Sequence, residues 1–407
     1  MTLLPEWLNQ PETQTLIAAF KQADVPLRFV GGCVRDSLLG KEVHDIDAAT
    51  TLRPEQVVEL LERANIKAIP TGIAHGTVTA VIDKKPFEIT TLRKDVATDG
   101  RHAEVEYTDD WQEDAQRRDF TMNALYLSPE GEVFDYHDGE KDARAGRVIF
   151  IGDATKRIEE DYLRILRFFR FFAHYGKSTP DRKAMEACTQ AAAQIETLSA
   201  ERIGHEMLKL LSAKRSHHAL SFMADQNILP HVVGFNITSR AVIRRLEEMN
   251  AAFSHTLSAT AKLAALLLVA DQKVATEEVA TRLRLSNADT QHVKNLLALQ
   301  ESISTSLSFP QQKRLIRKES ASLFCEAVLL AWAQTDELID TSHPYHAMLT
   351  LAQEWQPPVF PVSGDDLKAL GLKEGKAIGK ALAELEEAWE QDDYKMSRGE
   401  LLKRMEL

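Results

Sequence analysis

Three acidic residues near the start of the chain have the type and spacing of a metal-dependent site for phosphoryl or nucleotidyl transfer. Asp45 and Asp47 are one residue apart in HDIDAAT. On a strand both side chains would face the same way, with Cα atoms roughly 7 Å apart. Glu88, in KPFEITTLR, would join them from a neighbouring strand. Carboxylates suit Mg²⁺, so we predict a two-metal site with Asp45 and Asp47 as ligands and Glu88 as a third catalytic acid. Because D-x-D is common, the alternative is a turn with solvated acids.

A glycine pair upstream of these acids has the character of a phosphate-binding turn. Gly31 and Gly32, in RFVGGCVRD, lack a Cβ, so their backbone amides can approach a phosphate closely. Arg35 can add a forked donor to a triphosphate. A lone glycine pair is a weak signal, but G-G-x-x-R-D followed nine residues later by D-x-D is much stronger. We therefore predict that Gly31, Gly32 and Arg35 bind a nucleotide.

The stretch RRDFTMNA at 117–124 supplies further polar groups for a ribonucleotide. Arg118 can contact a phosphate, and Asp119 with Asn123 can hold the ribose hydroxyls. The alternative is a capped helix start in which Asp119 is the N-cap.

A fourth stretch, EDYLRILRFFRF at 160–171, places Asp161, Arg164, Arg167 and Arg170 three residues apart. On a helix such neighbours share a face. An arginine donor beside an aspartate acceptor matches the base edges of cytosine and adenine, whereas uracil and guanine carry a ring N–H where the arginine would donate. Asp161 and Arg164 are therefore predicted to select C and A without a nucleic-acid template. The alternative is an ion pair on an exposed helix face.

The elements that would position these residues differ between the two parts of the chain. Residues 1–150 alternate β-rich runs with turn signals around one amphipathic helix at 53–66, which favours a small α/β domain with a mainly antiparallel sheet. After residue 153 the pattern is helical, with helices at 155–175 and 310–335 among others, and the proline-containing stretch 353–364 marks a linker. The predicted strand pieces are RFVGG, DIDAAT, TVTAVI, PFEITTL, AEVEYT, ALYLSPEGEVFDY and RVIFIG.

Composition is that of a globular protein of several domains. The chain has 407 residues, a net charge of −12 and three widely separated cysteines, which favours a reducing compartment. The N-terminus has no basic signal region and the apolar windows are too short to span a bilayer, so we expect a cytoplasmic protein with no membrane partner. The negative net charge argues against a nucleic-acid partner, but residues 161–218 hold ten Lys and Arg against six Asp and Glu. This local excess of positive charge suits the binding of a polyanion.

Seven stretches of the sequence, in order, resemble the class II tRNA nucleotidyltransferases, the CCA-adding enzymes. The resemblance begins near residue 27 and includes a C-terminal element. The stretches are GGCVRD (31–36), HDIDAAT (44–50), FEITTLR (87–93), DGRHAEVEYTDDWQEDAQRRDFTMNA (99–124), EEDYLRILRFFRF (159–171), SAERIGHEMLKLL (199–211) and GDDLKALGLKEGKAIGKAL (364–382).

The resemblance implies an α+β protein with a polymerase-β-type head and an all-α remainder that acts on tRNA with CTP and ATP as substrates. It implies a head at 1–152, a neck at 153–230, a body at 231–335 and a tail at 336–407. It also implies Mg²⁺ on Asp45 and Asp47. The implied nucleotide contacts are Gly32, Arg35, Arg118, Asp161, Arg164, Arg167 and Arg170, the last two around the triphosphate.

Segment 94–108 resembles the flexible loop that lets such enzymes add the final A, and its intact form favours full CCA addition. The G-T-V of PTGIAHGTVTAVI (70–82) resembles CCA-adding enzymes rather than bacterial poly(A) polymerases. FDYHDGEKDARAG (134–146) is more polar than the family pattern, which affects the expected loop geometry. A poly(A) polymerase, a C- or A-only adding enzyme and an inactive tRNA-binding protein stay open as alternatives. No protein partner is predicted.

Overall fold

The chain, represented by a computed structural model, folds into two compact units. The first comprises Met1–Asn236 and Glu278–Leu285, and the second Ile237–Glu277 and Ser286–Leu407. The structure describes residues 2–73, 76–99, 102–255, 257–372 and 375–405. Parts of the predicted 70–82 stretch, of the loop at 94–108 and of the C-terminal motif therefore lie outside the described residues.

The first unit contains a seven-stranded sheet and a separate two-stranded hairpin. The sheet order is β3-β4-β5-β2-β1-β8-β9, and the hairpin pairs β6 with β7. Only the β2–β5 pairing is parallel among the described strands, so the predicted α+β class with a mainly antiparallel sheet is confirmed. The strands are β1 Leu27–Val30, β2 Ile46–Thr50, β3 Lys67–Gly72, β4 Thr77–Ile82, β5 Lys85–Thr91, β6 Arg93–Asp99, β7 His102–Tyr107, β8 Leu125–Leu127 and β9 Val133–Asp135.

Helices make up most of the remaining chain. Their bounds are α1 Pro11–Gln22, α2 Gly32–Leu38, α3 Pro54–Arg63, α4 Trp111–Gln116, α5 Gly139–Ala145, α6 Ala154–Glu160, α7 Leu163–Tyr175, α8 Arg182–Gln190, α9 Ala200–Leu211, α10 Ser216–Asp225, α11 Leu229–Val233, α12 Ala241–Phe253, α13 Ala259–Leu268, α14 Thr276–Arg282, α15 Asn287–Glu301, α16 Phe309–Glu319, α17 Ala321–Ala333, α18 Pro344–Glu354, α19 Gly364–Ala369, α20 Lys376–Gln391 and α21 Arg398–Lys403.

The two faces of the sheet bury different residues because successive strand side chains point to opposite sides. Phe29 and Ala48 belong to the core that also contains residues of α1 and α3. Their neighbours Val30 and Ala49 belong to a second cluster on the other face. Asp47 has the parity of Ala49, so its side chain emerges on the face away from α1 and α3.

Three predicted elements are wrong. RVIFIG is not a strand, since only Phe150 makes an isolated bridge, to Phe120. The predicted helix at 155–175 ends at Glu160 and restarts at Leu163, because Asp161 adopts an extended backbone with φ −158° and ψ 106°. The predicted helix at 310–335 is divided at Ser320, whose φ is 96°. Apolar periodicity continues across both breaks, so periodicity alone does not detect them.

The polar stretch at 134–146 has a defined local structure. The Asp135 carboxylate accepts backbone N–H groups from His137 (3.1 Å), Gly139 (2.9 Å) and Glu140 (2.9 Å). Gly139 is required here, since a Cβ would lie 2.1 Å from the carbonyl oxygen of Thr121. Asp135 thus satisfies the free N–H groups at the start of α5.

In the described part of the second unit the regular elements are helices, and Ile237 and Ala270 form an isolated β-bridge. Near its C-terminus, α19, α20 and α21 contribute to one apolar cluster that includes Leu367, Leu385 and Leu401. Trp389 is 2% exposed and is also part of this cluster. The stretch 364–382, which resembles a C-terminal element of the family, contains α19 and the start of α20.

Candidate active site

Two of the three predicted carboxylates, Asp47 and Glu88, lie on adjacent inner strands of the sheet, and the third, Asp45, lies just before one of them. β2 and β5 are parallel neighbours, and their register pairs Asp47 directly with Glu88. Phe87 and Ile89 are buried on the opposite face, so Asp47 and Glu88 emerge on the same side of the sheet. Asp45 immediately precedes the first residue of β2 and is exposed. The structure therefore places Glu88 beside Asp47, as expected from the neighbouring-strand hypothesis.

These carboxylates are electrostatically crowded. Burial raises the pKa of Asp47 to about 6, and repulsion from Glu88 and Asp45 adds to the rise, although Arg118 opposes it. A divalent cation bound between these carboxylates would remove the repulsion. No group of three or more His, Cys, Asp or Glu side chains in the described part of the chain forms a ready metal cage. A two-carboxylate site completed by substrate oxygens is the arrangement that Mg²⁺ commonly adopts, and Asp45 with Asp47 fits that requirement.

The glycine turn lies between the sheet and α2. Gly31 has φ 74°, and a Cβ there would lie 3.6 Å from the carbonyl oxygen of Asn123 and 3.8 Å from Nη1 of Arg118. Its N–H donates to the carbonyl of Leu125 (3.0 Å). The N–H of Gly31 is thus already hydrogen-bonded within the protein. Gly32 begins α2, where a helix N–H has no acceptor within the helix. The contact predicted between this glycine pair and a nucleotide stays a prediction.

Arg35 is buried, with its donors directed at protein groups. It donates to both carboxylate oxygens of Asp36 (3.0 and 2.9 Å), to Oδ1 of Asn123 (2.5 Å) and to Oη of Tyr175 (2.6 Å). Tyr175 Oη in turn donates to Asp36 (2.9 Å). Arg35 lines the cleft described below but is held by these partners, so its contact with a triphosphate stays a prediction.

Asp119 and Asn123 form part of a buried polar group. Asp119 accepts from Nε and Nη2 of Arg167 (2.8 and 2.5 Å), from Nδ2 of Asn123 (3.0 Å) and from the N–H of Phe120 (2.8 Å). Burial opposes ionisation, but Arg167 and these hydrogen bonds outweigh it and lower the pKa of Asp119 to about 2. Asp119 is not the N-cap of the short 3₁₀ turn at Thr121–Asn123, since that position is Phe120.

The predicted base-selecting residues lie on either side of the helix break. Asp161 accepts from Nη2 of Arg202 (2.7 Å) and from the N–H of Leu163 (3.1 Å). Arg164 uses Nη1 to contact the carbonyl of Arg157 (2.7 Å) and the carboxylate of Glu160. Asp161 and Arg164 are therefore close in the chain, but neither is the other's ion-pair partner, and the alternative of an exposed Asp–Arg pair is wrong.

Arg167 and Arg170 both face α9. Arg170 Nε donates to Glu206 (2.5 Å), and Nη1 of Arg167 lies 3.8 Å from the same carboxylate. Glu206 is 5% exposed. This buried acid fixes both arginines against α9.

A cleft of about 510 Å³ brings most of these residues together. Asp45, Glu88 and Arg170 are not among its lining residues. The lining contains six arginines, Arg35, Arg117, Arg118, Arg164, Arg167 and Arg202. The other lining residues are Gly31, Gly32, Asp47, Asp119, Asn123, Asp161, Leu163 and Phe171. A positively charged cleft that opens beside crowded carboxylates suits a nucleoside triphosphate with metal ions.

Comparison with known proteins agrees with this geometry. The family model for the poly A polymerase head domain matches residues 27–149. A second, described as a probable RNA and SrmB-binding site of polymerase A, matches residues 179–233. The mitochondrial CCA tRNA nucleotidyltransferase 1 of Mus musculus is 36% identical, over 97% of this chain and 92% of the relative. The chain belongs to the CCA-adding family of tRNA nucleotidyltransferases. It is therefore a nucleotidyltransferase, as predicted.

Other members of the CCA-adding family match over most of their length. The CCA-adding enzyme of Streptococcus gordonii is 32% identical, over 93% of this chain and 92% of that enzyme. The crystal structure of the Bacillus stearothermophilus CCA-adding enzyme in complex with CTP has a TM-score of 0.74 and 25% identity, covering 98% of each chain. No described helix has the length and apolar character to cross a membrane. The predicted cytoplasmic location stays a prediction, since the mouse relative is named as mitochondrial.

Several residues that shape this CCA-adding family site were missed by sequence reasoning. Arg202 and Glu206 come from α9, and Tyr175 from the end of α7, so only folding brings them to the site. Asp114 was detectable, because its spacing of three and four residues from Arg117 and Arg118 is that of helical ion pairs. The cysteine of the glycine turn, Cys33, is buried and has its pKa raised to about 12 by burial, as a packed residue should.

Proposed function

We propose that this protein adds CCA to the 3′ end of tRNA without a nucleic-acid template, using CTP and ATP. The observation that carries the proposal is the cleft whose arginines, together with Asp161, adjoin Asp47. Membership of the CCA-adding family supports the same reaction. The tRNA 3′-hydroxyl would attack the α-phosphate of CTP twice and of ATP once, and pyrophosphate would leave each time.

The carboxylates at Asp45, Asp47 and Glu88 would hold the metal ions. Two Mg²⁺ bound there would activate the attacking hydroxyl and stabilise the leaving pyrophosphate. Asp45 and Asp47 would be the ligands, and Glu88 would act as the third carboxylate. The raised pKa of Asp47 supports this assignment. Its first cause is burial, but repulsion from Glu88 and Asp45 adds to it, and a bound cation would relieve that repulsion. Arg118 faces Asp47 from the cleft and would contact the triphosphate, together with Gly32, Arg35, Arg167 and Arg170.

Asp161 and Arg164 would select the base. Among the described residues, Arg164 is hydrogen-bonded through Nη1 alone, which leaves Nε and Nη2 as donors. Each oxygen of Asp161 accepts one bond and retains a further lone pair. Both residues line the cleft. A donor and an acceptor are thus available to cytosine or adenine, whereas the ring N–H of uracil or guanine would oppose an Arg164 donor.

A basic surface next to the cleft would hold the tRNA. Burial lowers the pKa of Lys41, and repulsion from Arg35, Lys177 and Lys214 lowers it further, although Asp36 opposes the shift. Like charges held this close favour a polyanion, because phosphates relieve their repulsion. Lys177 and Lys214 belong to the basic 161–218 stretch, and Lys41 adds a cation from the head. We retain the assignment of a head at 1–152, a neck at 153–230, a body at 231–335 and a tail at 336–407.

The test uses purified full-length protein, Mg²⁺, tRNA ending at the discriminator base, and each labelled NTP alone and in combination. Product size is read on a sequencing gel. Growth by two residues with CTP, and by three with CTP plus ATP, supports the proposal. A long adenylate ladder with ATP alone would indicate a poly(A) polymerase, and a stop after two C residues with both nucleotides present would indicate a CC-adding enzyme. Binding of tRNA in a gel shift without any incorporation would indicate an inactive binding protein.

A further inference from the structure

Asp114, on α4, is a buried carboxylate to which the proposed chemistry assigns no role. It is 1% exposed. Oδ1 accepts from Nε and Nη2 of Arg117 (2.9 and 2.7 Å), and Oδ2 accepts from Nη2 of Arg118 (3.0 Å) and from Oη of Tyr126 (2.6 Å). Although burial opposes ionisation, the two arginines and the Tyr126 hydrogen bond hold its pKa well below the usual range. The group is therefore a permanent anion between two cations of the cleft.

The same carboxylate reaches the base of the β6–β7 hairpin. The N–H of Arg93, the first residue of β6, donates to Oδ1 of Asp114 (3.2 Å). The hairpin closes next to this bond, since the N–H of Thr108 donates to the carbonyl of Leu92 (3.0 Å). One buried side chain thus contacts both the start of the hairpin and two arginines that line the cleft.

The opposite side of the arginine pair is also fixed. Nη2 of Arg157, from α6, donates to the carbonyl oxygens of Arg117 and of Arg118 (2.6 Å for the latter). The backbone of this pair is therefore held by α6, while the guanidinium groups are held by Asp114. Tyr126 Oη supports Arg118 further by accepting from its Nε (3.2 Å).

We propose that Asp114 is a positioning residue that aims Arg118 into the nucleotide cleft and ties the first residue of the β6–β7 hairpin to that arginine. The inference rests on the proposed function, in which Arg118 contacts the triphosphate. Without the carboxylate, Arg118 retains Tyr126 as a partner but loses its charged one. It can then rotate away from the glycine turn, where its Nη1 lies 3.8 Å from the position of a Cβ on Gly31.

The test compares Asp114→Asn with a matched variant, Asp142→Asn. Asp142 is also buried and accepts from Nε and Nη2 of an arginine, Arg147 (2.9 and 2.6 Å), and from a hydroxyl, that of Thr121 (2.7 Å). It does not contact a cleft arginine. Both variants lose one buried carboxylate charge, so both are expected to lower the unfolding midpoint.

Steady-state extension of tRNA lacking CCA separates the two variants. For Asp114→Asn we expect kcat/KM for CTP to fall by about ten- to a hundredfold, mainly through KM, as for other residues that orient a binding group. For Asp142→Asn we expect kcat and KM to stay within about twofold of the wild type, as for most substitutions away from a site. Equal losses of stability with unchanged KM in both variants would overturn the proposal.

A double-mutant cycle tests whether Asp114 acts through Arg118. If it does, Asp114→Asn combined with Arg118→Ala should be no slower than Arg118→Ala alone. Independent effects would instead multiply, and that result would contradict the inference. Backbone hydrogen exchange provides the second readout: the peptide containing Arg93 should exchange faster in Asp114→Asn and unchanged in Asp142→Asn.

These readouts keep this inference apart from the proposed function. If the wild-type protein incorporates no nucleotide, the proposed function fails. The affinity for CTP with Mg²⁺, measured by calorimetry, and the hydrogen exchange at Arg93 then decide the role of Asp114. Unchanged CTP affinity and unchanged exchange in Asp114→Asn would reject it.

Discussion

Two groups of carboxylates in the first unit have opposite electrostatic surroundings. On the inner strand β2, Asp47 has acidic neighbours, and burial together with repulsion from Glu88 raises its pKa to about 6. In the lining of the cleft, Asp119 is more deeply buried than Asp47 but is bonded to Arg167, and its pKa falls to about 2. Burial disfavours the charged form of both carboxylates and so raises both pKa values. The charges of the neighbouring residues therefore decide the direction of the net pKa shift. The carboxylates of Asp47 and Glu88 are suited to a cation from outside, whereas Asp119 already has an arginine as its partner.

The largest effect should come from Asp47→Asn. We expect turnover to fall by at least about a thousandfold, because losing a metal ligand removes several kcal/mol of transition-state stabilisation. The same change should stabilise the metal-free protein by about 2 kcal/mol at neutral pH, since it removes an anion that the fold disfavours. Extension assays and chemical denaturation in EDTA measure the two effects.

The pH dependence of this stabilisation has a definite sign. The folded pKa of Asp47 is raised from 3.8 to about 6, so the folded state is penalised above that range and not below it. The advantage of Asp47→Asn should be full above pH 6 and vanish as the pH falls toward 3.8. A variant that is less stable than the wild type at pH 7 would break the contrast between the two groups.

Asp119→Asn should have the opposite effect on stability. Removing one partner of a buried ion pair leaves Arg167 with the more distant Glu206, at 3.8 Å, as its acidic partner. We expect a cost of about 3 kcal/mol. Because the folded pKa is lowered to about 2 from 3.8, this contribution exists above pH 3.8 and is lost as the pH falls toward 2. Urea denaturation of both proteins between pH 7 and pH 3 measures it. A cost that grows on acidification would contradict the assignment.

Arg202→Ala should sharpen the comparison at an intermediate site. Asp161 is paired with an arginine, as Asp119 is, here with Arg202 at 2.7 Å, and both acids line the cleft. Freed from Arg202, it should lose orientation, and the preference for CTP and ATP over UTP and GTP should fall by about tenfold. Single-nucleotide incorporation with each NTP measures this ratio. If discrimination is unchanged while Asp161→Ala abolishes it, Arg202 has no orienting role.

Glu59→Gln should have the smallest effect. Glu59 pairs with Arg63 on the exposed side of α3, at 3.4 Å. Exposed pairs of this kind contribute roughly 0.3–0.5 kcal/mol, so neither activity nor the denaturation midpoint should change measurably. This variant is the reference for Asp47→Asn and Asp119→Asn. A large loss of activity would show that charge removal anywhere on the head affects catalysis.

The position of Glu88 beside Asp47 was predictable in part, because the strand character of KPFEITTLR suggested where Glu88 would lie. Strand alternation predicted that Asp45 would share a face with Asp47, but β2 begins only at Ile46. The parallel register that pairs Asp47 with Glu88 could not be read from the chain. Parallel pairing requires a crossover connection, and the residues between these strands also form α3, β3 and β4.

The surroundings of the arginines were less predictable. Spacing suggested a single helical face from Asp161 to Arg170, but the backbone at Asp161 is extended. Helical periodicity was preserved across this break, because Leu163 and Ile165 continue the buried face. The partners of Arg167 and Arg170 were missed for another reason, since Glu206 lies on a different helix.

The sequence by itself determined the family and most of the strands and helices, because motifs and periodicity are local properties of the chain. The tertiary structure decided which charges are paired. Arg164 is held by Glu160, Asp161 by Arg202, and Asp119 by Arg167. Coulomb energies depend on distance and on burial, and both are set only when segments far apart in the chain pack together.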